Sequence, residues 1–585
     1  MKTPKPMSMS MSIRPISTLA VTLCLVCTLC TQVQAQTAPG ISAPDAGRIL
    51  QEQLRPQLQP PKAATGINLS TPELSEIISG GSQITLQSVS FAGNTRFSQA
   101  QLQGVLADAM GQRLDLGGLK ALANRVSDHY RAAGYPFARA YVAPQALQGG
   151  EQQVVLRIDV MEGLYGAVTM QSPNAANARL AAAAQRFAAP LQPGTVIESE
   201  PLERLSLILN DLPGIKVTPI MRPGKEVGTG DLDLTINTTE RLNADVGLDN
   251  QGSRYTGQGR VRANLDVNSP FLLGDQITLR SLFSELGMRM AALGYSRPVG
   301  VSGLRATTSY SHTYYELGGS FASSQSSGTA DVFSLGASYP LMRGQQVNLT
   351  LTGNLQHKQL NDHSGASASS TDKSSTTLPL ALNFDRRDGS GVTYGSMILT
   401  SGQLNLDGTL NTADAQAQTA GSFSKINLDV ARVQALNWGT GSKFTLFARL
   451  SAQHASKNLD SSEDLGLGGS SGVRAYPTGE GYGDAGWLTQ LELRYAMGAY
   501  APYVFYDAGS VRVNVNPWSA TQANAPVASN ERSIAGLGIG LRYQRNNWSL
   551  DAALAWRTEG GLPQSDAQDQ SERGPQVWVN AGYKF

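Results

Sequence analysis

The feature that most constrains the fold is a two-residue alternation of apolar and polar side chains, which begins near residue 241 and continues to residue 585. One segment reads Val347-Asn-Leu-Thr-Leu-Thr-Gly-Asn-Leu-Gln356. Successive side chains of a strand point to opposite faces, so such strands have one apolar and one polar face. Lipid on one side and water on the other would produce this pattern, and so would the core and surface of a soluble sheet. The lengths of the segments and the connections between them distinguish a membrane-spanning sheet from a soluble one.

These segments number about sixteen, each of about ten residues, which is the length a tilted strand needs to cross a bilayer. Their connections alternate between short turns and long polar stretches. The short turns are Ser269–Gly274, Pro298–Gly303, Leu341–Gln345, Arg387–Gly391, Ala435–Gly441 and Met497–Ala501. The long stretches are 316–329, 358–375, 403–422, 454–485, 513–532 and 558–574. Only a closed barrel leaves no open strand edge in lipid, so residues 241–585 are predicted to form a transmembrane β-barrel of about 16 antiparallel strands.

Residues 1–35 are predicted to be a secretory signal peptide. A basic start precedes the apolar run Ile16–Leu29 and the small-residue cleavage site Val33-Gln-Ala35. The apolar run is too short to span a membrane comfortably. All three cysteines lie in this segment, so the exported chain is predicted to contain neither cysteine nor disulfide.

Residues 36–56 contain a short helix candidate. The segment Pro44–Arg55 carries Ile49, Leu50 and Leu54 on one face, and prolines follow it. Residues 57–83 are rich in Pro, Gly, Ser and Thr and are predicted to be an extended linker. A helix on such a tether can dock far from its neighbours in sequence. A tail with only transient helicity is the alternative.

Two units of similar length follow, 84–162 and 163–240, and each has the order β-α-α-β-β. The first is predicted to have strands Ile84–Phe91, Phe137–Val142 and Gln153–Val160, with helices over 98–110 and 116–133. The second is predicted to have strands near Tyr165–Met170, Ile215–Met221 and Asp231–Asn237, with helices near 175–188 and 200–211. Each α+β module leaves a strand edge and a groove that can accept an extended peptide. Two purely structural spacers are the alternative.

The last segment is Val577-Trp-Val-Asn-Ala-Gly-Tyr-Lys-Phe585, and its odd-numbered residues share one face. A terminal strand that ends on an aromatic residue resembles the assembly signal of bacterial outer-membrane proteins. Tyr583 and Phe585 are the residues expected to carry that signal.

Six short motifs carry a resemblance to a known family. Those in the modules are Phe91-Ala-Gly-Asn-Thr95, with Gly93 and Asn94; the pair Gly134-Tyr135; and Leu209–Ile215, with Pro213 and Gly214. The barrel-start motif is Asp249–Gly257, with Asp249, Asn250, Gly252, Tyr255 and Gly257. The two late motifs are Val473-Arg-Ala-Tyr476 and Phe505-Tyr-Asp-Ala-Gly509.

Together these motifs resemble the transporters of two-partner secretion (TpsB, of the ShlB/FhaC/HecB haemolysin secretion/activation type), within the superfamily of the BamA barrel-assembly factor. The resemblance implies two periplasmic polypeptide-transport-associated (POTRA) modules over 84–162 and 163–240, a plug helix within 36–56 and an outer-membrane barrel over 241–585 with long external loops. It implies export of one large, unfolded exoprotein of the adhesin or haemolysin (TpsA) type. It also implies contact with outer-membrane lipid and, during biogenesis, with the barrel-assembly machinery.

The resemblance also gives Arg474 a partner. In the family the sixth outer loop folds into the lumen, and by phase Phe505, Asp507 and Gly509 share one face of a strand, so Asp507 is expected to point inward. A bidentate pair of Arg474 with Asp507 would fix the loop tip. This predicted site, the loop lock, comprises Val473, Arg474, Tyr476, Phe505, Asp507 and Gly509. A solvated loop arginine is the alternative, and Ala475 departs from the usual glycine of the motif.

No catalytic, cofactor-binding or metal-binding residues are predicted. Gly468–Gly472 matches G-x-S-x-G, but a nucleophile elbow needs a following helix, which the sequence lacks. The 5 histidines have no ligand spacing. The net charge of +1 indicates no polyanion-binding surface, so no nucleic-acid partner is expected.

Three other functions are weighed against secretion. A barrel-insertion factor of the same superfamily would carry more POTRA modules and no plug helix. A passive porin would lack residues 84–240. A soluble β-protein or enzyme is disfavoured by the alternation and the terminal strand. The sequence therefore favours a partner-secretion transporter.

Overall fold

The computed structural model describes residues 43–54, 61, 80, 83–145, 154–172, 178–439, 441, 443–518, 530–565 and 574–585. The predicted signal peptide and most of the predicted linker lie outside these residues. No helix in the described ranges is long and apolar enough to cross a membrane.

The first described element is helix α1, Ala46–Leu54, in the segment where the sequence predicts a helix. Asp45 caps its start, because its carboxylate accepts a hydrogen bond from the Arg48 backbone N–H at 2.9 Å. Ala46, Ile49 and Leu50 are buried against barrel side chains. The Leu54 side chain and Arg55, also part of the predicted helix, lie outside the description.

The first module folds in the predicted order, with one extra two-residue strand. Its elements are β1 Ile84–Ala92, α2 Gln99–Val105, β2 Arg113–Leu114, α3 Leu116–Ala132, β3 Arg139–Val142 and β4 Val154–Met161. The sheet order is β2-β1-β4-β3, and the apolar faces of both helices pack on it. Side-chain caps start both helices: Ser98 forms a capping box with Gln101, and Asp115 accepts from the Gly118 N–H at 2.8 Å.

The second module repeats this architecture with its own core. Its elements are β5 Leu164–Gln171, α4 Ala178–Gln185, α5 Ser199–Asn210, β6 Ile215–Pro223 and β7 Thr229–Thr238. The sheet order is β5-β7-β6, with β5 parallel to β7. Both modules have the order β-α-α-β-β, because each small sheet has one apolar face and its two helices cover that face.

Sixteen strands of the described chain close into an antiparallel barrel, which confirms the predicted fold class. They are β8 Leu242–Asp249, β9 Arg260–Asn268, β10 Gln276–Ser284, β11 Arg289–Pro298, β12 Arg305–Glu316, β13 Ser326–Arg343, β14 Val347–Ser364, β15 Ser369–Asp388, β16 Gly391–Leu406, β17 Gly421–Leu436, β18 Phe444–Ala455, β21 Ala485–Tyr495, β22 Tyr500–Arg512, β23 Glu531–Arg545, β24 Trp548–Glu559 and β25 Gln576–Lys584. Two short strands, β19 Leu465–Gly466 and β20 Tyr482–Gly483, pair within the loop after β18. Helix α6, Gly408–Ala413, lies in the loop after β16.

The prediction that residues 358–375 form a loop was wrong. Strand β14 continues to Ser364 and β15 begins at Ser369, so only four residues turn the chain, and β15 is 20 residues long. Gln359 still pairs with Ser374 in the ladder. The segment is rich in Ser, Thr, Asn and Asp on both faces, so no alternation marks it as a strand, although backbone pairing continues.

Burial alternates along the barrel strands. On β22, Val504 and Tyr506 are exposed on the outer face by 51% and 42%, whereas Phe505 and Asp507 are buried in the lumen. Apolar side chains therefore cover the outside of the barrel, whereas the inward face of β22 carries the buried charge of Asp507, as expected for a membrane barrel.

The second module docks on the short-turn end of the barrel. Arg343 at the end of β13 pairs with Asp211 at 2.7 Å. The hydroxyl of Ser269 donates to the Pro213 carbonyl at 2.7 Å, beside Gly214, which has a φ of +85°. The Pro213-Gly214 motif thus shapes the turn that contacts the barrel.

Glu162 connects the turn motif of the first module to its core. Its carboxylate, 5% exposed, accepts hydrogen bonds from the Thr95 N–H at 2.7 Å, the Arg96 N–H at 2.8 Å and the Tyr130 hydroxyl at 2.9 Å. Burial raises the pKa of this carboxyl, but these hydrogen bonds outweigh burial and hold the pKa below its usual value.

We expect Glu162→Gln to destabilise the first module by about 2 kcal/mol, because the amide cannot accept all of these hydrogen bonds. Because the folded state holds the pKa of Glu162 below its usual value of 4.5, the ionised carboxylate stabilises the fold at pH values above 4.5. This stabilisation is lost as the pH falls through the lower pKa of the folded state. Hydrogen exchange of residues 84–161 in the full-length protein should show this pH dependence in the wild type and not in the variant. Asp128→Asn, in an exposed pair on the same module, is the control. Equal effects of both substitutions would contradict the role of Glu162.

Candidate functional site

The loop after β18, residues 456–484, folds into the barrel lumen. It is the sixth loop at the long-loop end, counting from β8. Its tip is tight: the Val473 N–H donates to the Leu467 carbonyl at 2.8 Å, and Val473 and Tyr476 are fully buried. A Cβ at Gly468 or Gly472 would overlap the backbone carbonyl of Pro477 or Leu467. Glycines in the stretch therefore permit close backbone approach.

The structure brings Arg474 and Asp507 together. The guanidinium donates from Nε to Asp507 Oδ2 at 2.7 Å and from Nη2 to Oδ1 at 2.7 Å, and the Arg474 backbone N–H donates to Oδ2 at 3.1 Å. Arg474 is 5% exposed and Asp507 is 0% exposed. This bidentate, charge-assisted geometry is strong, and little water screens it.

Glu492 of β21 is a second partner that the sequence analysis missed. Arg474 Nη1 lies 2.5 Å from Glu492 Oε1. Arg494 and Arg542 also contact Glu492, at 2.7 Å and 3.0 Å, so three arginines share two buried carboxylates. The signal was available in principle, because Leu488, Gln490 and Glu492 alternate inward along β21. No sequence motif connects Glu492 to the loop.

Aromatic rings cover the guanidinium, and glycines make room for them. Arg474 Cζ lies 3.6 Å from the centroid of the Phe505 ring, a cation–π contact. A Cβ at Gly538 would overlap the Phe505 ring, and one at Gly540 would overlap the Tyr503 ring. The alternating glycines of β23 thus let the side chains of the loop lock lie flat on the barrel wall.

The departure at Ala475 is accommodated by Gly536. Ala475 is 1% exposed, and a Cβ at Gly536 would overlap the Ala475 Cβ. Ala475 is not among the non-glycine residues with positive φ in the described chain, so its side chain brings no left-handed strain.

The remaining loop-lock residues also meet at the tip. The Tyr476 hydroxyl donates to the Glu559 and Gly561 carbonyls at 2.6 Å and 2.8 Å, which ties the tip to the end of β24. A Cβ at Gly509 would lie 2.8 Å from Leu467 Cδ2, so this glycine leaves space for the loop. Val473, Arg474, Tyr476, Phe505, Asp507 and Gly509 therefore form one cluster.

The barrel-start motif lies beside this cluster and beside α1. Asp249 accepts from the side chains of Arg260 and Arg262 at 2.7 Å and 2.8 Å. Asn250 bonds the backbone of β25. A Cβ at Gly252 would overlap the carbonyl of Gly257, whose φ is +103°. Tyr255 is buried in the apolar cluster that holds Ala46, Ile49 and Leu50.

Ion pairs hold α1 and the sixth loop to the wall and to each other. Lys373 Nζ lies 2.7 Å from both Asp45, at the start of α1, and Asp460, in the loop. Lys358 and Lys425 both pair with Glu463 of the loop. The Ala46 N–H donates to Asp362 at 2.8 Å. These lysines were not predicted from the sequence, because single lysines on three separate strands form no motif.

The module motifs and the terminal aromatic residues lie away from the lumen cluster. A Cβ at Gly93 would overlap the Val160 carbonyl, and Asn94 Nδ2 donates to the Phe97 carbonyl at 2.8 Å. The Gly134 carbonyl accepts from the Ser199 N–H of the second module at 2.9 Å, and Tyr135 packs edge-on against Tyr130. Tyr583 packs edge-on against both Trp548 and Phe585, with ring centroids 4.8 Å and 5.0 Å apart.

Comparison with known proteins identifies the family. A family model for the haemolysin secretion/activation proteins ShlB/FhaC/HecB matches residues 228–543, and one for the ShlB-type POTRA domain matches residues 84–163. The chain belongs to the ShlB/FhaC/HecB family. This is a family of outer-membrane transporters of two-partner secretion and not a class of enzymes.

Individual relatives agree with this family. The chain is 26% identical over 559 residues to the heme/hemopexin transporter protein HuxB of Haemophilus influenzae, covering 91% of this chain and 95% of the relative. It is 26% identical over 486 residues to the outer membrane transporter CdiB of Escherichia coli, covering 81% of this chain and 79% of the relative. The solved structure of CdiB from Escherichia coli shares the fold with a TM-score of 0.68 and 21% identity, covering 92% of this chain and 95% of that one.

In this member of the ShlB/FhaC/HecB family, the close packing of Ala475 against Gly536 can be tested by substitution. Gly536→Ala should destabilise the tip by about 1–3 kcal/mol, because the new methyl group overlaps Ala475. Ala475→Gly in the same chain should restore most of the loss, measured as hydrogen-exchange protection of residues 465–484.

The matched control is Gly540→Ala on the same face of β23, where the new methyl group overlaps Tyr503 instead. Ala475→Gly should not rescue that variant. Rescue of both variants, or of neither, would contradict the pairing of Ala475 with Gly536.

Proposed function

We propose that this protein recognises one large secreted partner through its two POTRA modules in the periplasm and exports it unfolded through the barrel to the cell surface or medium. The proposed POTRA modules span 84–162 and 163–240, and the proposed barrel spans 241–585. The proposed partner is an exoprotein of the TpsA type, adhesin-like or haemolysin-like. The long loops would face outward, the outer wall would contact outer-membrane lipid, and the barrel-assembly machinery would insert the protein, with Tyr583 and Phe585 in the terminal signal.

The observation that carries this proposal is that helix α1 and the inward-folded sixth loop occupy the lumen. In the described residues, helix α1 contacts the wall through its first turn and through side chains, with groups such as Asp45, Ala46 and Leu50. About 30 residues separate α1 from β1, a length of chain that can reach at most about 100 Å. The helix can therefore leave the barrel while the modules stay folded.

The loop lock is proposed to set the resting position of the sixth loop. Breaking a buried ion pair on one side leaves an uncompensated charge at a cost of about 3–5 kcal/mol, so the loop is strongly held at rest. The Arg474 side chain can keep its charge compensated if the loop shifts, because both Asp507 and Glu492 lie within reach.

A gene deletion tests the function. Without this protein, we expect one large protein to disappear from the medium while other outer-membrane proteins stay at their normal levels. Quantitative proteomics of the medium and the outer membrane measures both. General loss of barrel proteins would instead support the barrel-insertion alternative, and an unchanged medium would contradict export.

Exchange of the lock charges tests the loop. Arg474→Asp and Asp507→Arg should each reduce secretion strongly, because each leaves buried like charges together. The double exchange should restore secretion only in part, because Asp at position 474 would face Glu492. Adding Glu492→Gln should improve the double variant. A double exchange no better than either single substitution would contradict direct pairing.

Opening of the plug is a separate prediction. Lys373→Ala removes the shared partner of Asp45 and Asp460, so α1 should leave the lumen more often. Single-channel recordings in planar bilayers should show a higher open fraction. Lys443→Ala, in the exposed turn before β18, is the matched control and should leave the recordings unchanged. No increase with Lys373→Ala would contradict the plug role of α1.

A further inference from the structure

The seam that closes the barrel is its shortest strand pairing in the described residues. Strands β25 and β8 share five residue pairs, from Asn580 with Asp249 to Lys584 with Asp245. Each of these strands shares eight pairs with its other neighbour. The seam joins the two ends of the barrel sequence, so no turn connects its strands. Its closure depends on non-covalent contacts alone.

The seam ends before β25 does. Val577 and Val579 lie on β25 beyond the last pair and face outward, with 43% and 39% exposure. Their backbone N–H and C=O groups therefore lie at the depth of the lipid-facing surface, where an unpaired polar group is costly.

Asn250 bonds three of these groups, two through its side chain and one, the Val579 carbonyl, through its backbone N–H at 3.2 Å. Its Nδ2 donates to the Val577 carbonyl at 2.9 Å, and its Oδ1 accepts from the Val579 N–H at 2.8 Å. The carboxamide thus takes the place of a peptide group on β8. A second side-chain contact crosses the seam below it, where Arg262 Nη2 donates to Asn580 Oδ1 at 2.8 Å.

The sixth loop contacts both sides of the same seam from inside. On the β25 side, Trp578 Nε1 donates to the Arg474 carbonyl at 2.7 Å, and Trp578 is 4% exposed. On the β8 side, Thr478 Oγ1 donates to the Gln251 carbonyl at 2.9 Å. The loop residues from 474 to 478 therefore span the seam, with the loop lock holding them in place.

We propose that the inward-folded sixth loop is a strap that keeps the barrel closed at the β25–β8 seam, with Asn250, Thr478 and Trp578 as its positioning residues. Displacing the loop loosens the seam. This role is independent of what the barrel transports. It makes seam closure and loop position one coupled equilibrium, since the same residues contribute to both.

Hydrogen exchange on the full-length protein in detergent, resolved to single amides, tests the proposal. Asn250→Ala should speed exchange at the Val579 amide by about tenfold, the effect of losing roughly one net hydrogen bond. Asn427→Ala is the matched control, because Asn427 bonds Gln453 at 2.7 Å across the β17–β18 pairing, away from the seam. Unchanged exchange at Val579 in Asn250→Ala, or equal acceleration there in both variants, would overturn the role of Asn250.

Thr478→Val tests the strap itself, because it removes only the hydroxyl that contacts the β8 side. Exchange should rise severalfold on both seam strands, including β25, which Thr478 does not touch. Leu248→Cys with Ala581→Cys joins two directly paired seam positions and should suppress this rise when oxidised. If Thr478→Val accelerates exchange only within residues 465–484, the loop does not strap the seam and the proposal is wrong.

Discussion

The structure depends on one buried ion cluster, in which Arg474 lies between Asp507 and Glu492. Removing three charges from water is costly, and the arrangement is stable because each carboxylate oxygen in contact with Arg474 accepts a directed hydrogen bond and aromatic rings exclude water around it. Other features follow from this cluster. The glycines of β23 admit the aromatic rings, and the Arg474 carbonyl is placed where Trp578 can donate to it.

The lumen contents form one connected network. The loop carries Asp460 and Glu463, the wall supplies Lys358, Lys373 and Lys425, and α1 adds Asp45. Helix, loop and wall therefore share ion-pair partners, with Lys373 bonded to both Asp45 of the helix segment and Asp460 of the loop. Such pairs would suit the proposed departure and return of these elements, because water and other charges can replace the pairs, whereas a large apolar contact would have to be exposed. The apolar face of α1 is correspondingly small, with Ala46, Ile49 and Leu50 at its centre.

Much of the fold could be predicted, because its strands, its helices and its short motifs each have a recognisable pattern in neighbouring residues. Period-two alternation identified the barrel, helical periodicity identified the modules, and the short motifs identified the pairing of Arg474 with Asp507 as a hypothesis, which the geometry now supports. The extensions of β14 and β15 were not predicted, because both faces of these Ser- and Thr-rich segments are polar and no alternation of apolar and polar residues marks them as strands. Glu492 and Lys373 were missed because their importance comes from partners far away in sequence.

The sequence by itself determined the class of the fold, the order of its parts and, along the alternating strands, which face is apolar and which is polar. Alternation and local propensity are properties of neighbouring residues, and no partner is needed to express them. Only the tertiary structure decided how the lumen is filled, why Ala475 fits opposite Gly536, how Asn250 bonds β25 across the seam and how Thr478 bonds Gln251 beside it. These contacts join residues 18 to more than 300 positions apart, and their geometry exists only when the barrel has closed.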